Sequence, residues 1–204
     1  MTYPTKPVLG LLGGIGGGKS AVAAELVKHG GWLINADLLG HEALRQTDIQ
    51  NKVVAHFGGE ILDERGDVDR KKLGAKVFAD VKELRALEAI VFPYIGDRIR
   101  EEIDKARRRR EVGFIVLDAA VMLESGWNGT CDKLIFVDAP FAVRRARVQQ
   151  QRGWSEAELR AREKLQWPLD DKKRRADAVL DNSTTPLALT EQVSRLLRSW
   201  DLLP

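Results

Sequence analysis

The 204-residue chain carries 33 Lys and Arg against 30 Asp and Glu, a formal net charge of +3, with 44% apolar and 31% charged residues. A chain of this size buries one core without a metal or disulfide staple; its single cysteine, Cys131, excludes an intrachain disulfide, and no apolar run approaches the roughly 20 residues that cross a bilayer. The slight basic excess, mixed with acid along most of the chain, suits small phosphorylated ligands rather than nucleic acid. Residues 1–7 lack the apolar segment of a secretory leader, so a soluble protein of the reducing cytoplasm is expected. No feature demands an oligomer, and a monomer satisfies the sequence.

The first apolar run, residues 8–12, predicts a strand that enters Gly13-Gly14-Ile15-Gly16-Gly17-Gly18-Lys19-Ser20, a match to G-x-x-x-x-G-K-[ST]. Glycines let such a loop turn its backbone N–H groups toward phosphate oxygens, Lys19 reaches the β- and γ-phosphates, and the Ser20 hydroxyl ligates Mg²⁺. From Ala21, placed with Gly14 to Lys19 at the nucleotide, a strong helix former continues, its N-terminus adding partial positive charge. The motif implies a bound nucleoside triphosphate, without separating kinases from other nucleotide binders.

Further apolar runs at 32–34, 114–117, 134–137 and 179–180 lack period-two alternation and are separated by amphipathic stretches, a pattern that predicts an α/β fold with a buried parallel sheet. The interval 38–112 is too long for one crossover and predicts an inserted, mostly helical subdomain. Its turn-rich connection falls at 57–66 and its helices at 70–79 and 80–106, with a kink or split at Pro93. Residues 141–175, rich in arginine and broken at Gly153 and Pro168, predict a helical lid, and 186–199 a final helix. Core segments are thus expected at about 1–60, 113–140 and 176–204, and a substrate-binding subdomain at about 61–112.

Ligands of open parallel sheets bind beyond the carboxyl ends of the strands, which selects Asp37 and Asp118. An ionised Asp37 could accept a hydroxyl proton during phosphoryl transfer, or could cap a helix beginning at Leu38. Asp118 could hold Mg²⁺ through water or cap a turn; Glu124 faces either substrate or solvent. Among the arginines near 144–152, Arg147 and Arg152 are the candidates to meet phosphate. The run of four arginines at 107–110 closes a helix, where positive charge suits the macrodipole, and no interleaved aromatics accompany it. His29, His41 and His56 show no metal-ligand spacing with Cys131.

In order along the chain, residues 10–20 (GLLGGIGGGKS), 35–37 (NAD), 84–93 (LRALEAIVFP), 166–172 (QWPLDDK) and 176–183 (ADAVLDNS) resemble the dephospho-coenzyme A kinase family. Its corresponding stretches are G-L-T-G-G-I-G-S-G-K-S, D-A-D, L-x-x-L-E-A-I-V-H-P, Q-x-P-L-x-x-K and A-D-x-V-I-D-N-S. The resemblance implies a phosphate-loop kinase core with a five-stranded parallel sheet, a helical substrate-binding domain and a helical lid. It implies transfer of the ATP γ-phosphoryl to the ribose 3′-hydroxyl of dephospho-coenzyme A, with Mg²⁺. Asp37 would be the base or hydroxyl-orienting residue, Asn182 would contact adenine, Arg147 or Arg152 would reach phosphates, and Phe92, Pro93, Asp118 and Glu124 would lie toward the acceptor. Both substrates would draw the lid and substrate domain inward, excluding water.

The chain departs from the family pattern at Phe92, where the family has histidine, at Asn35 for the first aspartate of D-A-D, at Gly17 for the usual serine, and at residues 118–124, DAAVMLE for D-x-P-L-L-F-E. Phe92 offers apolar packing in place of a polar contact. Competing expectations are a kinase of similar fold acting on another nucleotide or small metabolite, and a nucleotide sensor or RNA-binding protein without catalysis.

Overall fold

The computed structural model describes residues 6–203; the first residues of the segment expected to lack a leader lie outside them. The described residues form two compact units, one comprising residues up to Asn35 and from Glu102 onward, the other Ala36–Glu101.

The first unit is built on five parallel strands, β1 (Val8–Gly13), β2 (Gly31–Asn35), β3 (Phe114–Asp118), β4 (Lys133–Asp138) and β5 (Ala178–Asp181), in the order β2-β3-β1-β4-β5. Each expected apolar run became a strand one or two residues longer. β1 and β3 are buried throughout, whereas the edge strands β2 and β5 are partly exposed, as expected where only inner strands are covered on both faces. On one face Leu9, Leu11, Phe114, Val116, Ile135 and Val137 pack with Val22 and Leu26 of α1 (Lys19–Lys28) and with Leu189, Val193 and Leu197 of α9 (Pro186–Ser199). Full burial contributes roughly 1.5–3 kcal/mol for each large aliphatic side chain. α9 starts where Thr185 Oγ1 accepts from the Ala188 N–H at 3.2 Å with Pro186 next, the favoured order at a helix start.

Side chains alternate across a strand, so Gly10 faces the other way. A Cβ there would stand 2.7 Å from Cys131 Sγ and 2.8 Å from Leu134 Cδ2. The expected lid residues form α6 (Phe141–Arg152), α7 (Glu156–Glu163) and α8 (Leu169–Arg174) within this unit. Gly153, at φ 69°, ends α6, a Ser155–Glu158 capping box starts α7 and Pro168 precedes α8.

In the second unit, α2 (Ala36–Ala43), α3 (Thr47–Phe57), α4 (Arg70–Val77) and most of α5 (Val81–Arg107) surround a short bridge, Leu62 to Val68. The unit begins at Ala36 and ends at Glu101, earlier than the boundaries expected near 61 and 112. Side chains explain the early start: Tyr94 Oη donates to Glu42 Oε1 at 2.6 Å, Gln50 Nε2 to the Gly66 carbonyl at 2.7 Å and Lys76 Nζ to the Phe57 carbonyl at 2.7 Å. Of the kink or split expected at Pro93, the split does not occur: α5 runs on through it. Proline forfeits one intrahelical hydrogen bond, and Val91, Ile95 and Ile99, buried at four-residue spacing, hold the helix across that gap. Arg107 to Arg110 close α5 as expected; Arg109 stacks on Trp32 at 4.6 Å and pairs with Glu111 at 3.3 Å.

Two measurements test this packing. Gly10→Ala should destabilise the fold by about 1–3 kcal/mol in urea titration, because the new methyl meets Cys131 and Leu134; an unchanged midpoint would show that the sheet gives way freely. Burial pushes the Cys131 thiol up to about 12 from 9.0. A raised thiol pKa contributes stability below the unfolded value that is lost as pH climbs from 9 toward 12. Cys131 is only partly buried, so the folded protein should react with a thiol-specific chromogenic reagent at pH 8 more slowly than the unfolded chain, and equally fast reaction of both would contradict the raised thiol pKa.

Candidate functional site

β1 delivers the chain to the glycine loop, and α1 receives it. Gly18, at φ 89°, is the N-cap of α1 and supplies no side-chain cap, so the first-turn N–H groups remain directed along the helix axis, the arrangement that binds anions. Lys19 and Ser20 are the first two helical residues, Lys19 half-buried and Ser20 exposed.

Four carbonyls of this loop are engaged. The Gly14 carbonyl accepts from the Gly17 N–H at 3.0 Å, the Ile15 carbonyl from Arg144 Nη1 at 3.2 Å, and the Gly17 carbonyl from Arg147 Nη1 at 3.3 Å and Asn182 Nδ2 at 2.9 Å. The Gly18 carbonyl accepts from the Ala21 N–H at 3.0 Å and Asn182 Nδ2 at 3.4 Å. In a trans peptide the C=O and the following N–H point in opposite directions. Pulling the Ile15 and Gly17 carbonyls toward α6 and Asn182 therefore turns the N–H groups of Gly16 and Gly18 the other way, as a phosphate cradle requires. Three of the glycines are obligatory: a Cβ at Gly13 (φ 151°) would meet the Val137 carbonyl at 2.7 Å, one at Gly16 (φ 74°) the Arg144 carbonyl at 2.6 Å, and one at Gly18 (φ 89°) Asn182 Nδ2 at 2.0 Å.

The clasping residues are themselves fixed. Asn182 is set by its N–H donating to the Asp138 carbonyl at 2.8 Å, and Arg147 Nη2 donates to the Asn182 carbonyl at 2.7 Å. Arg144, only 4% exposed, pairs with Glu163 and donates Nε to the Ala139 carbonyl at 3.2 Å. Arg152 lies away from this cluster at the end of α6, exposed and stacked on Trp154 at 4.9 Å. Of the two favoured lid arginines, the structure brings Arg147 to the loop and leaves Arg152 on the tryptophan.

Asp118 ends β3, 8% exposed and in register with Leu11 of β1 and Asn35 of β2. Glu124 does not face solvent: its side chain is 2% exposed and paired with equally buried Lys172 at 3.4 Å. Its Oε1 also accepts from the Trp167 N–H at 2.7 Å, while Oε2 has no partner among the described residues. Lys172 Nζ donates to Gln166 Oε1 at 2.9 Å. Burial lowers the Lys172 pKa; nearby Lys19 lowers it further, and Glu124 opposes both. Arg144, Glu163, Gln166 and Lys172 were not singled out as site residues from sequence; the Q-x-P-L-x-x-K match was the one signal pointing to the last two.

In the other unit, Asp37 lies in the first turn of α2, which starts at Ala36 rather than Leu38. It is therefore not the cap. Its exposed carboxylate makes no hydrogen bond or ion pair among the described residues. Phe92 is half-buried and Pro93 exposed, midway along α5. No group of three or more His, Cys, Asp or Glu side chains that could hold a metal occurs among the described residues. Ser20 and Asp118 nevertheless fit Mg²⁺, a hard cation that usually takes one or two protein oxygens and completes its shell with phosphate and water.

The sequence model of the dephospho-CoA kinase family matches residues 7–187. The chain belongs to that family. A dephospho-CoA kinase of Geobacillus kaustophilus is 37% identical over 96% of this chain and 97% of its own length, and one of Thermobifida fusca 36% identical over 96% and 95%. The Thermus thermophilus protein TT1252 superposes with a TM-score of 0.82 at 31% identity, covering 97% of this chain and 98% of that one. A shikimate kinase of Acinetobacter baumannii, at 15% identity and a TM-score of 0.53 over 98% of both chains, shares the fold. As a member of the dephospho-CoA kinase family the chain is an ATP-using transferase.

The clasp predicts a particular phenotype. Asn182→Ala should weaken ATP about tenfold, the scale of one or two lost hydrogen bonds, and should weaken inorganic tripolyphosphate, measured as a competitive inhibitor, by the same factor. Loss confined to ATP would mean that the amide serves the base and not the loop.

Proposed function

We propose that this chain transfers the γ-phosphoryl group of ATP to the ribose 3′-hydroxyl of dephospho-CoA, the closing step of coenzyme A synthesis, in the reducing cytoplasm. The observation that carries the proposal is the glycine loop with its Ile15 and Gly17 carbonyls drawn outward, in a chain whose residues 7–187 match the dephospho-CoA kinase family.

The N–H groups of Gly16, Gly18, Lys19 and Ser20 bind the triphosphate, those of Gly17 and Ala21 being held by the Gly14 and Gly18 carbonyls, and Lys19 lies against its β- and γ-oxygens. Ser20 and Asp118 would hold Mg²⁺, which supplies neutralisation of charge on the phosphates. Asp37 accepts the proton of the 3′-hydroxyl as that oxygen bonds to the γ-phosphorus; the bond to the β,γ-bridging oxygen breaks and ADP leaves. Arg147 keeps the loop in its binding shape, and Arg152, released from Trp154, meets charge on the transferred group. Phe92, Pro93 and Glu124 serve the acceptor, Phe92 through apolar contact alone.

With Mg-ATP and a panel of hydroxyl acceptors, purified protein should convert dephospho-CoA to a 3′-phosphorylated product. Asp37→Asn should lower kcat by about 10²–10⁴, the usual share of a general base, with KM for ATP little changed, whereas Lys19→Ala should damage both. Turnover of a different acceptor alone would overturn the assignment, and an Asp37→Asn enzyme with full kcat would remove Asp37 from the chemistry.

A further inference from the structure

Within the unit Ala36–Glu101, α2 carries Asp37 and His41 four residues apart, on one face of the helix. Arg70, the first residue of α4, brings Nη1 to 3.4 Å from His41 Nδ1. A guanidinium can only donate, so Nδ1 is the acceptor and the ring carries its proton on Nε2, leaving an N–H free to donate elsewhere. Burial first, then the charge of Arg70, lowers the His41 pKa, with Arg45 adding to the effect and Asp37 opposing it. The three arginines that α5 contributes to this unit are each matched by a carboxylate: Arg85 by Glu88, Arg98 by Glu42 and Arg100 by Asp97. Arg70 and Arg45 pair with none among the described residues. The Arg70 guanidinium, 3.4 Å from the imidazole and without a carboxylate, is left for an anion to neutralise, with Arg45 four residues after His41 adding its charge.

We propose that Arg70, His41 and Arg45 form the subsite for the diphosphate of a nucleotide acceptor, seating the ribose hydroxyl of that acceptor toward Asp37. Four residues of helix rise about 6 Å, comparable with the span of a ribose from its 3′-oxygen to its 5′-phosphate. The Arg70 fork and the His41 Nε2–H then give three directed donors to one anion, the geometry in which arginine outperforms lysine. The subsite rests on the assignment of dephospho-CoA as acceptor, whose 5′-diphosphate is the group to be held.

The test is calorimetry on the full chain with the glycine loop saturated by a non-hydrolysable ATP analogue and Mg²⁺. Arg70→Gln should weaken dephospho-CoA at least tenfold, about 1.4 kcal/mol, and leave adenosine, which lacks phosphate, unchanged; Arg70→Lys should recover only part of the loss. Equal weakening of both ligands would mean a merely structural role, and no weakening of dephospho-CoA would likewise overturn the subsite. Inorganic pyrophosphate separates this outcome from a mistaken acceptor. If the wild type ignores dephospho-CoA yet binds pyrophosphate in a manner that Arg70→Gln abolishes, the acceptor assignment fails and the anion subsite stands; if Arg70→Gln makes no difference to pyrophosphate, the subsite fails on its own account.

Discussion

Trans-peptide geometry is the constraint on which the site depends. A backbone loop offers N–H groups to a phosphate only if the neighbouring carbonyls are turned away and satisfied elsewhere, since a buried carbonyl without a donor costs free energy comparable to a lost hydrogen bond. Here the donors come from two places far apart in sequence, α6 through Arg144 and Arg147 and the end of β5 through Asn182. The loop shape is thus a property of the first unit as a whole. The sheet must bring β4 and β5 side by side before Asn182 can reach Gly17, and the Asp138–Asn182 hydrogen bond records that dependence.

The donors carry a cost of their own. Arg144 and Lys172 are charged and almost fully buried, each beside a glutamate, Glu163 and Glu124. Such pairs add little net stability over apolar packing, but stripping one partner leaves an uncompensated buried charge worth several kcal/mol. Their value lies in position. Glu163 ends α7 and Lys172 lies in α8, so the two pairs tie both short helices to the first unit. Burial is the main cause of the lowered Lys172 pKa, with the charge of Lys19 adding to it and Glu124 opposing it.

How much of this was legible in the sequence follows from the range of each interaction. The strands, the glycine loop, the breaks at Gly153 and Pro168 and the final helix were readable because their signals lie within a few residues of one another. The start of the insertion, read at 38, fell close to Ala36, but a substrate-binding subdomain drawn only from 61 left out α2 and α3, which join it through hydrogen bonds such as Tyr94 to Glu42, 52 residues apart, that no local pattern reveals. Pro93 misled because local propensity predicts a break, while burial of Val91, Ile95 and Ile99 maintains the helix. Among the arginines of α6, composition suggested phosphate contacts, yet only the fold distinguishes Arg144 and Arg147, which hold the loop backbone, from Arg152, which rests on Trp154. Asp37 was read correctly as a residue at a strand end, and its cap alternative fell because α2 begins one residue before it.

The glycine at position 17 shows what the loop demands and what it tolerates. Unlike Gly16 and Gly18 it does not take a positive φ, and a Cβ there would lie 3.0 Å from the Gly14 carbonyl and 3.4 Å from that of Val137. Those distances are tight but open to adjustment by a few tenths of an ångström, in contrast to the 2.0 Å approach at Gly18. A serine in this position is therefore compatible with the backbone, and its absence here removes a hydroxyl without removing any of the hydrogen bonds that orient the loop. The Gly17 carbonyl, held at once by Arg147 and Asn182, is the part of that residue on which the Gly18 N–H orientation depends. Position 17 thus tolerates a small side chain below a steric ceiling, whereas at 16 and 18 the backbone and its clasping partners admit glycine alone.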